Sequence, residues 1–395
     1  MTKIHPEIIS AVDGVPPCFD GTRGEVNFRL SPLFVSCSVT AGESIPAGDL
    51  SPNKNIPVYG SNGTRGYSDF SNFTEDQVLV GRQGSVGSVH LAKAPFWAAE
   101  HALVVKPLTE RIDKRWLKYV LEVSDLGRLS RAVAQPGINA TSVSFQRIPH
   151  VEHSKQVRIA DYLERETAEI DAAVVDLDKY VQLLEKRKSI AIENAVEGSQ
   201  TPLHCMTRIV DCVHTTPDRD ENGVAEAVRT SSIRSGKYVP GMGIPISAET
   251  VSLRNKELAP KSGDLFFTRE APAGEACLVP TSGTFAAGQR VVTIRPDESV
   301  ILPEYLLFAL YSAQIRERWT TTSTGSTVTN IKMATIGQAR IPTPSISRQY
   351  EIVQSLDQEF TEIENLIAES TKLRDLLLKR RSVLITEVVT GRKQV

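Results

Sequence analysis

Two sets of loop residues combine arginine, amide and hydroxyl side chains with neighbouring glycines, a composition suited to contacts with nucleic acid. Arginine can donate two hydrogen bonds to the edge of guanine, and asparagine or glutamine can bind adenine in the same forked way. Glycine lets the backbone approach a phosphate closely. The candidate DNA contacts in the first half are Ser61, Asn62, Thr64, Arg65, Arg82, Gln83, Ser85, Gln135, Asn139 and Thr141. Those in the second half are Thr268, Arg269, Gln289, Arg290, Ser323, Thr324, Ser326, Asn330 and Lys332.

These loops also have an ordinary interpretation, because glycine, serine, asparagine and arginine occur in the loops of every β domain. Arg82 and Arg269 could serve as structural ion-pair partners instead. Residues 20–153 carry 14 Lys and Arg against 13 Asp and Glu, and residues 205–343 carry 15 against 14. A protein that binds DNA alone usually has a stronger basic bias. DNA binding therefore requires another subunit to supply much of the attraction for phosphate.

Patterns that would indicate catalysis are incomplete. Ser235-Gly236-Lys237-Tyr238 lacks the glycine spacing and final hydroxyl residue of a phosphate-binding loop, and Gly84-Ser85-Val86-Gly87 differs from a nucleophile elbow. A hydrolase therefore has no assembled nucleophile and base to support it. A zinc site would need His204, Cys205, Cys212 and His214. Their spacing does not match common zinc modules, and ordinary packing is favoured. We expect no catalytic residue and no bound metal.

The composition is that of an ordinary globular chain. It has 395 residues, 41% hydrophobic and 23% charged, with a formal net charge of −2. Five scattered cysteines fit a reducing compartment. The sequence lacks a signal-peptide core and a run of about 20 apolar residues that would span a membrane. We therefore expect a cytoplasmic protein with no membrane contact.

An internal duplication determines how the loops must be positioned. Residues 154–198 and 347–391 align without a gap at an offset of 193, and sixteen of the 45 pairs are identical. Each copy repeats apolar residues at helical spacing on an otherwise charged helix. Ser154 and Ser347 are predicted as N-caps, and Gly198 and Gly391 as C-terminal stops. A single apolar seam needs a partner, and the other copy is the obvious one.

The segments before the two helices predict compact, mostly β domains. They hold most of the glycine and proline, with short β-branched runs such as 77–81 and 291–294 and helices near 115–123 and 303–312. The predicted fold is α+β, with two tandem mostly-β domains, each followed by a long helix. The helices would pack as an antiparallel coiled coil with pseudo-two-fold symmetry. The predicted boundaries are 1–153, 154–198, 199–346 and 347–395.

Several stretches resemble the specificity subunits of type I restriction–modification enzymes. They are IPVYGSNGTRGYSD (56–69), VLVGRQGSVGSV (78–89) and the helix ends LLEKRKSIAIENAVEG (183–198) and LLLKRRSVLITEVVTG (376–391). The resemblance covers nearly the whole chain. It implies a non-catalytic subunit with two target-recognition domains that bind double-stranded DNA. It also implies two methyltransferase subunits along the helices, which use S-adenosylmethionine, and restriction subunits, which translocate DNA with ATP and Mg.

The duplication and the resemblance together predict a bipartite target. Two unlike β domains would read two unlike half-sites, and the long helices would fix a non-specific gap between them. Half-sites about one helical turn apart, roughly 34 Å, lie on one face of the duplex. This chain itself is expected to bind no cofactor. The alternative is a coiled-coil adaptor whose β domains bind proteins, which explains the neutral charge equally well.

Overall fold

The computed structural model describes residues 17–19, 28–130, 136–321 and 330–395. Contacts within the chain define two compact units, Met1–Leu177 with Lys372–Val395 (unit 1) and Asp178–Thr371 (unit 2). Each unit therefore contains part of both duplicated segments. The four boundaries drawn from the sequence follow the repeat instead and stay a prediction.

The described residues of unit 1 form two small sheets and a two-stranded pair. Its strands are β1 Leu30–Pro32, β2 Cys37–Ala41, β3 Ile56–Gly60, β4 Gly63–Ser68, β5 Gln77–Gly81, β6 Val89–Ala92, β7 Trp97–Ala98, β8 Ala102–Pro107 and β9 Arg147–Pro149. Its helices are α1 Lys114–Glu122, α2 Ala140–Ser144, the first part of α3 His153–Ala195 and the last part of the C-terminal helix Ile346–Val389. The sheets have the orders β2-β8-β5-β6 and β4-β3-β7, and β1 pairs with β9. Only β3 and β7 are parallel among these pairs.

Unit 2 repeats this topology. Its strands are β10 Ser199–Pro202, β11 Thr207–Val210, β12 Ala225–Val228, β13 Ile233–Arg234, β14 Lys237–Tyr238, β15 Ile244–Ile246, β16 Leu265–Thr268, β17 Ala276–Leu278, β18 Phe285–Ala287, β19 Val291–Pro296 and β20 Arg340–Thr343. Its helices are the last part of α3, α4 Ala248–Arg254, α5 Pro303–Leu310, α6 Ala313–Thr321, α7 Met333–Gly337 and the first part of α8 Ile346–Val389. The orders β11-β19-β16-β17 and β15-β12-β18 match those of unit 1, including the parallel pair β12 and β18, and β10 pairs with β20 as β1 pairs with β9. The strands β13 and β14 form an additional pair in unit 2. The α+β fold with tandem domains is confirmed, and the duplication extends to the diverged β domains.

Each unit has one four-stranded sheet, here called its main sheet, in which an interior strand (β5 or β16) is buried on both faces. In β5, Val78 and Val80 belong to the core beneath α1, whereas Leu79 belongs to the core shared with the second sheet. Successive side chains of a strand point to opposite faces, so one strand joins two cores. In β16, Phe266 and Phe267 are divided between two cores in the same way. The main sheet is therefore a rigid base for the loops at its ends.

Gln156 and Gln349, which are identical at equivalent positions of the duplication, hydrogen-bond each long helix to its β domain. Gln156 is 2% exposed and accepts a hydrogen bond from the backbone N–H of Asp113, the N-cap of α1, at 2.9 Å. Gln349 is 0% exposed and accepts from the backbone N–H of Leu302, immediately before α5, at 2.8 Å. A buried backbone donor needs a partner, and the glutamine supplies it. The retained residue identity thus has a structural cause.

The long helices form equivalent antiparallel pairs within each unit. They contain 43 and 44 residues. In unit 1, Arg381 of α8 binds Asp171 of α3 at 2.7 Å. In unit 2, Lys188 of α3 binds Glu364 of α8 at 3.0 Å. These ion pairs lie at corresponding positions of the repeat, because both members are displaced by 193 residues. The predicted helix pairing is confirmed inside each unit.

Glu122 links α1 to this pairing in unit 1. It contacts Arg381, whose side chain is only 15% exposed, and it binds Lys118 at 2.8 Å. Burial raises the pKa of Glu122, but the attraction of Lys118 and Arg381 outweighs burial and holds the pKa below its ordinary value. The carboxylate is therefore stabilised in its charged form.

The predicted helix starts are wrong by a short distance. The helices begin at His153 and Ile346, so Ser154 and Ser347 lie in the first turns. Ser345 takes the capping role at the second helix, because its hydroxyl accepts from the N–H of Arg348 at 3.4 Å. Within the described part of the chain, no helix is both long and apolar enough to cross a membrane.

Candidate nucleic-acid interface

Three segments that are distant in sequence meet beside the end of β5. The N–H of Arg82 donates to the carbonyl of His101 at 2.8 Å, and the N–H of Ile138 donates to the carbonyl of Arg82 at 3.0 Å. His101 directly precedes β8, and Ile138 lies just before α2. We call these three residues and their counterparts in unit 2 the loop frame.

Unit 2 builds the same loop frame with different side chains. The N–H of Arg269 donates to the carbonyl of Arg290 at 3.0 Å, and the N–H of Ile331 donates to the carbonyl of Arg269 at 3.0 Å. Arg290 directly precedes β19, and Ile331 lies just before α7. The backbone bonds thus define equivalent positions in the two units, independently of sequence alignment.

Glycine brings two predicted contact loops together in unit 1. A Cβ on Gly81 would overlap the backbone oxygens of Ser61 and Ser85. The hydroxyl of Ser88 donates to the same two oxygens, at 3.0 Å for Ser85. The tip of the β3–β4 hairpin therefore packs directly on the turn between β5 and β6. Asn62 and the other hairpin residues, Thr64 and Arg65, are exposed beside it.

A partly exposed polar cluster surrounds Glu100 in unit 1. Its Oε1 lies 3.5 Å from Nη1 of Arg65 and 3.3 Å from Nε2 of His101. The other ring nitrogen of His101 lies 3.0 Å from Oε1 of Gln83. Nη1 of Arg82 donates to the carbonyl of Glu100 at 3.5 Å. The side chains of Arg65, Arg82 and His101 thus contact Glu100, an acidic residue that the sequence analysis did not select, and Gln83 joins the cluster through His101.

In unit 2 the equivalent cluster surrounds Glu270. Nε of Arg290 lies 3.2 Å from one carboxylate oxygen, and Nδ2 of Asn330 donates to the other at 2.5 Å. The side chain of Arg290 is 49% exposed, and that of Glu270 is 25% exposed. Charged and amide groups are therefore present at the surface of this unit too, in a different combination.

Arg269 is held as a structural ion-pair partner, the alternative considered for it from the sequence. Its Nη1 donates to both carboxylate oxygens of Asp211, at 2.9 and 2.8 Å, and its Nε donates to the carbonyl of Ile331 at 3.1 Å. Its side chain is 14% exposed. Arg269 therefore fixes the position of the loops, and Asp211 is a site residue that the sequence did not reveal.

Asp211, Cys212 and His214 form a group whose ligand atoms lie within 4.8 Å of one another. Each is already engaged with the protein. Asp211 binds Arg269, and His214 lies 3.3 Å from Asp211. The thiol of Cys212 donates to the carbonyl of Gln289 at 2.7 Å. Burial, assisted by Asp211, raises the pKa of Cys212 to about 11. The thiol therefore stays protonated at neutral pH and can make that hydrogen bond.

The remaining candidates occupy unequal environments. Thr268 is 0% exposed, and its hydroxyl donates to the carbonyl of Pro272 at 2.6 Å. It stabilises the turn, so we leave it out of the interface. Asn139 caps α2, while Thr141 and Lys332 are exposed. Gln289 accepts from Thr216, and Ser61 and Ser85 are half-buried. Gln135, Ser323, Thr324 and Ser326 lie outside the described residues.

The chain matches a known sequence family over most of its length. The family described as type I restriction modification DNA specificity domain matches residues 27–174 and 214–372. The chain is 30% identical over 148 residues to the EcoprrI specificity subunit of Escherichia coli, covering 36% of each protein. It is 23% identical over 340 residues to the putative type I restriction enzyme specificity subunit S.HindORF215P of Haemophilus influenzae, covering 81% of this chain and 83% of that one.

The fold matches a solved structure. A chain reported under the description "structural basis underlying complex assembly and conformational transition of the type I R-M system" superposes with a TM-score of 0.59 at 14% identity. The match covers 92% of this chain and 97% of that one. The sequence match to the EcoprrI subunit spans only about a third of that relative, whereas the structural match spans nearly all of both chains.

Proposed function

Because this chain belongs to the family of type I restriction modification DNA specificity domains, we propose that it reads two unlike half-sites in double-stranded DNA. The observation that carries the proposal is the repeated loop frame. Both units hold the same three segments by the same backbone bonds, yet they present different polar side chains. A duplicated frame with unlike side chains is what an asymmetric bipartite target requires. The chain acts by recognition, and the chemistry belongs to its partners.

The long helices are proposed to set the gap between the half-sites. With 43 and 44 residues, each is about 65 Å long at 1.5 Å per residue. This length is sufficient to support two reading sites separated by one turn of DNA, roughly 34 Å. Inserting seven residues into each helix should lengthen the methylated gap without changing either half-site. An unchanged gap would contradict this role.

The helices also carry a duplicated apolar surface suited to partner subunits. In unit 2, Tyr180, Leu183 and Ile190 are 42%, 63% and 49% exposed. In unit 1 the residues displaced by 193 positions are Leu373, Leu376 and Val383, at 49%, 55% and 48% exposure. Each trio lies on one face of its helix. Exposed apolar clusters mark interaction sites.

We assign one methyltransferase subunit to each apolar trio, which gives two copies per chain. These subunits would bring S-adenosylmethionine, and restriction subunits would add ATP-driven translocation with Mg. Phosphate contacts made by the partner subunits would explain why the recognition domains are nearly neutral. Within these domains, Arg65, Arg269 and Arg290 are each paired with an acidic residue. The salt dependence of DNA binding should therefore be much steeper for the complex than for this chain alone.

Genome-wide methylation mapping tests the proposed function. Cells that contain the partner subunits would be compared with and without this chain. We expect a single bipartite motif with two different halves and a constant gap, present only with the chain. Identical methylation in both cultures, or a continuous motif, would contradict the proposal.

A further inference from the structure

The loop frame identifies side chains in the two units that occupy the same place but differ in chemistry. Gln83 directly follows Arg82 in unit 1, and Glu270 directly follows Arg269 in unit 2. The partner is His101, directly before β8, in unit 1 and Arg290, directly before β19, in unit 2. In both units the two side chains lie against each other, at 3.0 Å and 3.2 Å. The contact is retained while its chemistry changes.

The pair in unit 1 joins an amide to an imidazole. Oε1 of Gln83 faces Nδ1 of His101, so the carbonyl end of the amide is engaged. The NH₂ end remains a donor and suits acceptors in the major groove, such as guanine O6 or thymine O4. The side chain of His101 is 44% exposed. Because Glu100 lies 3.3 Å from the other ring nitrogen of His101, the amide NH₂ of Gln83 is the group of this pair that can bind a ligand.

The pair in unit 2 joins a carboxylate to a guanidinium. Arg290 is 49% exposed, and a forked guanidinium suits O6 and N7 of guanine. Glu270 is an acceptor only, so it suits the N4 amino group of cytosine. Asn330 donates a hydrogen bond to the carboxylate of Glu270 in unit 2. The equivalent position in unit 1 is Gly137, which forms an isolated β-bridge with Gln83. The second pair therefore fits a G·C base pair.

We infer that the pairs Gln83–His101 and Glu270–Arg290 determine the base preference of their respective half-sites. This inference rests on the proposed function and adds the side chains that make the half-sites unlike. Arg82 and Arg269 are positioning residues in this account. Arg269 illustrates the difference, since Asp211 binds its guanidinium and only 14% of its side chain is exposed, against 49% for Arg290.

Exchanging the pairs tests the inference in the full complex with its partner subunits. One variant carries Gln83→Glu and His101→Arg, and the other carries Glu270→Gln and Arg290→His. Methylation of a plasmid library with randomised half-sites is then sequenced. Each exchange should change preference at one or two base pairs of a single half-site by about tenfold to a hundredfold. The other half-site and the gap should stay as in the wild type.

A matched control distinguishes a loss of base recognition from a general effect of removing a negative charge. Glu298 is exposed in unit 2 beyond the opposite end of β19 from Arg290. Glu298→Gln removes the same charge as Glu270→Gln and should leave the motif unchanged. If a double variant fails to fold, as judged by circular dichroism, single Glu270→Gln should still weaken one position of the second half-site.

Two results would overturn the inference. One is an unchanged motif in folded variants of both pairs. The other is an equal loss at all sequences, because that is the behaviour of phosphate contacts or of general destabilisation. Both results require that the wild-type complex methylate a bipartite motif. A wild type without such a motif would instead refute the proposed function, so the two failures are distinguishable.

Discussion

Replacing the buried glutamine of the second repeat should loosen unit 2. Gln349 accepts from the N–H of Leu302 at 2.8 Å and donates from Nε2 to the carbonyls of Val300 and Pro344, both at 2.9 Å. Gln349→Leu keeps a similar volume but leaves three backbone groups without this partner. A buried unsatisfied group costs about 1–3 kcal/mol, and two of these three bonds are only partly buried. We therefore expect unfolding free energy to fall by about 3–4 kcal/mol.

Urea denaturation followed by circular dichroism measures this loss. Hydrogen–deuterium exchange should place the loosening at the start of α5, because Leu302 directly precedes that helix. Gln354→Leu is the matched control, since Gln354 is exposed on the same helix. We expect that control to change stability by less than about 0.5 kcal/mol. A similar small effect from Gln349→Leu, or protection retained in α5, would refute the proposed attachment.

Three further predictions concern charge, partners and loop position. Because the folded pKa of Glu122 is depressed, its stabilisation is present above its ordinary pKa of 4.5 and is lost as pH falls through the folded value. Glu122→Gln should therefore cost about 1–2 kcal/mol at pH 7 and progressively less below pH 4.5 in urea titrations; an equal cost at both pH values would contradict it. Leu376→Asp should leave one methyltransferase subunit bound per chain by native mass spectrometry, and two retained copies would refute this docking site. Asp211→Asn should release Arg269 and weaken the second half-site alone in methylation mapping, whereas loss of both half-sites would argue against local positioning.

The internal duplication allowed the fold to be predicted from the sequence. The identical residues at the 193-residue offset predicted two long helices and two similar halves. Such residues are retained because helix packing requires regular apolar spacing and buried contacts such as those of Gln156 and Gln349. The common topology of the β domains was only weakly visible. Strand pairing depends on backbone bonds, which tolerate extensive change of side chains at exposed ends.

The site was predictable in location but not in residue roles. The turn after β5 and its counterpart after β16 were selected by arginine and glycine. Their partners Glu100 and Asp211 were missed, because the contacts join segments separated in sequence by 18 to 58 residues. Thr268 looked available as a polar loop residue, yet its hydroxyl is needed inside the turn. Composition can predict donors, whereas the folded backbone decides which of them remain exposed.

Methylation mapping of a domain-replacement variant tests the central claim most directly. Residues 28–149 would be replaced by residues 199–342, so that β1 to β9 give way to β10 to β20 and both recognition domains are the same. If each unit reads one half-site and the helices pair antiparallel, the target becomes an inverted repeat of the second half-site with the original gap. An unchanged asymmetric target, or the same half-site repeated in one direction, would contradict the account.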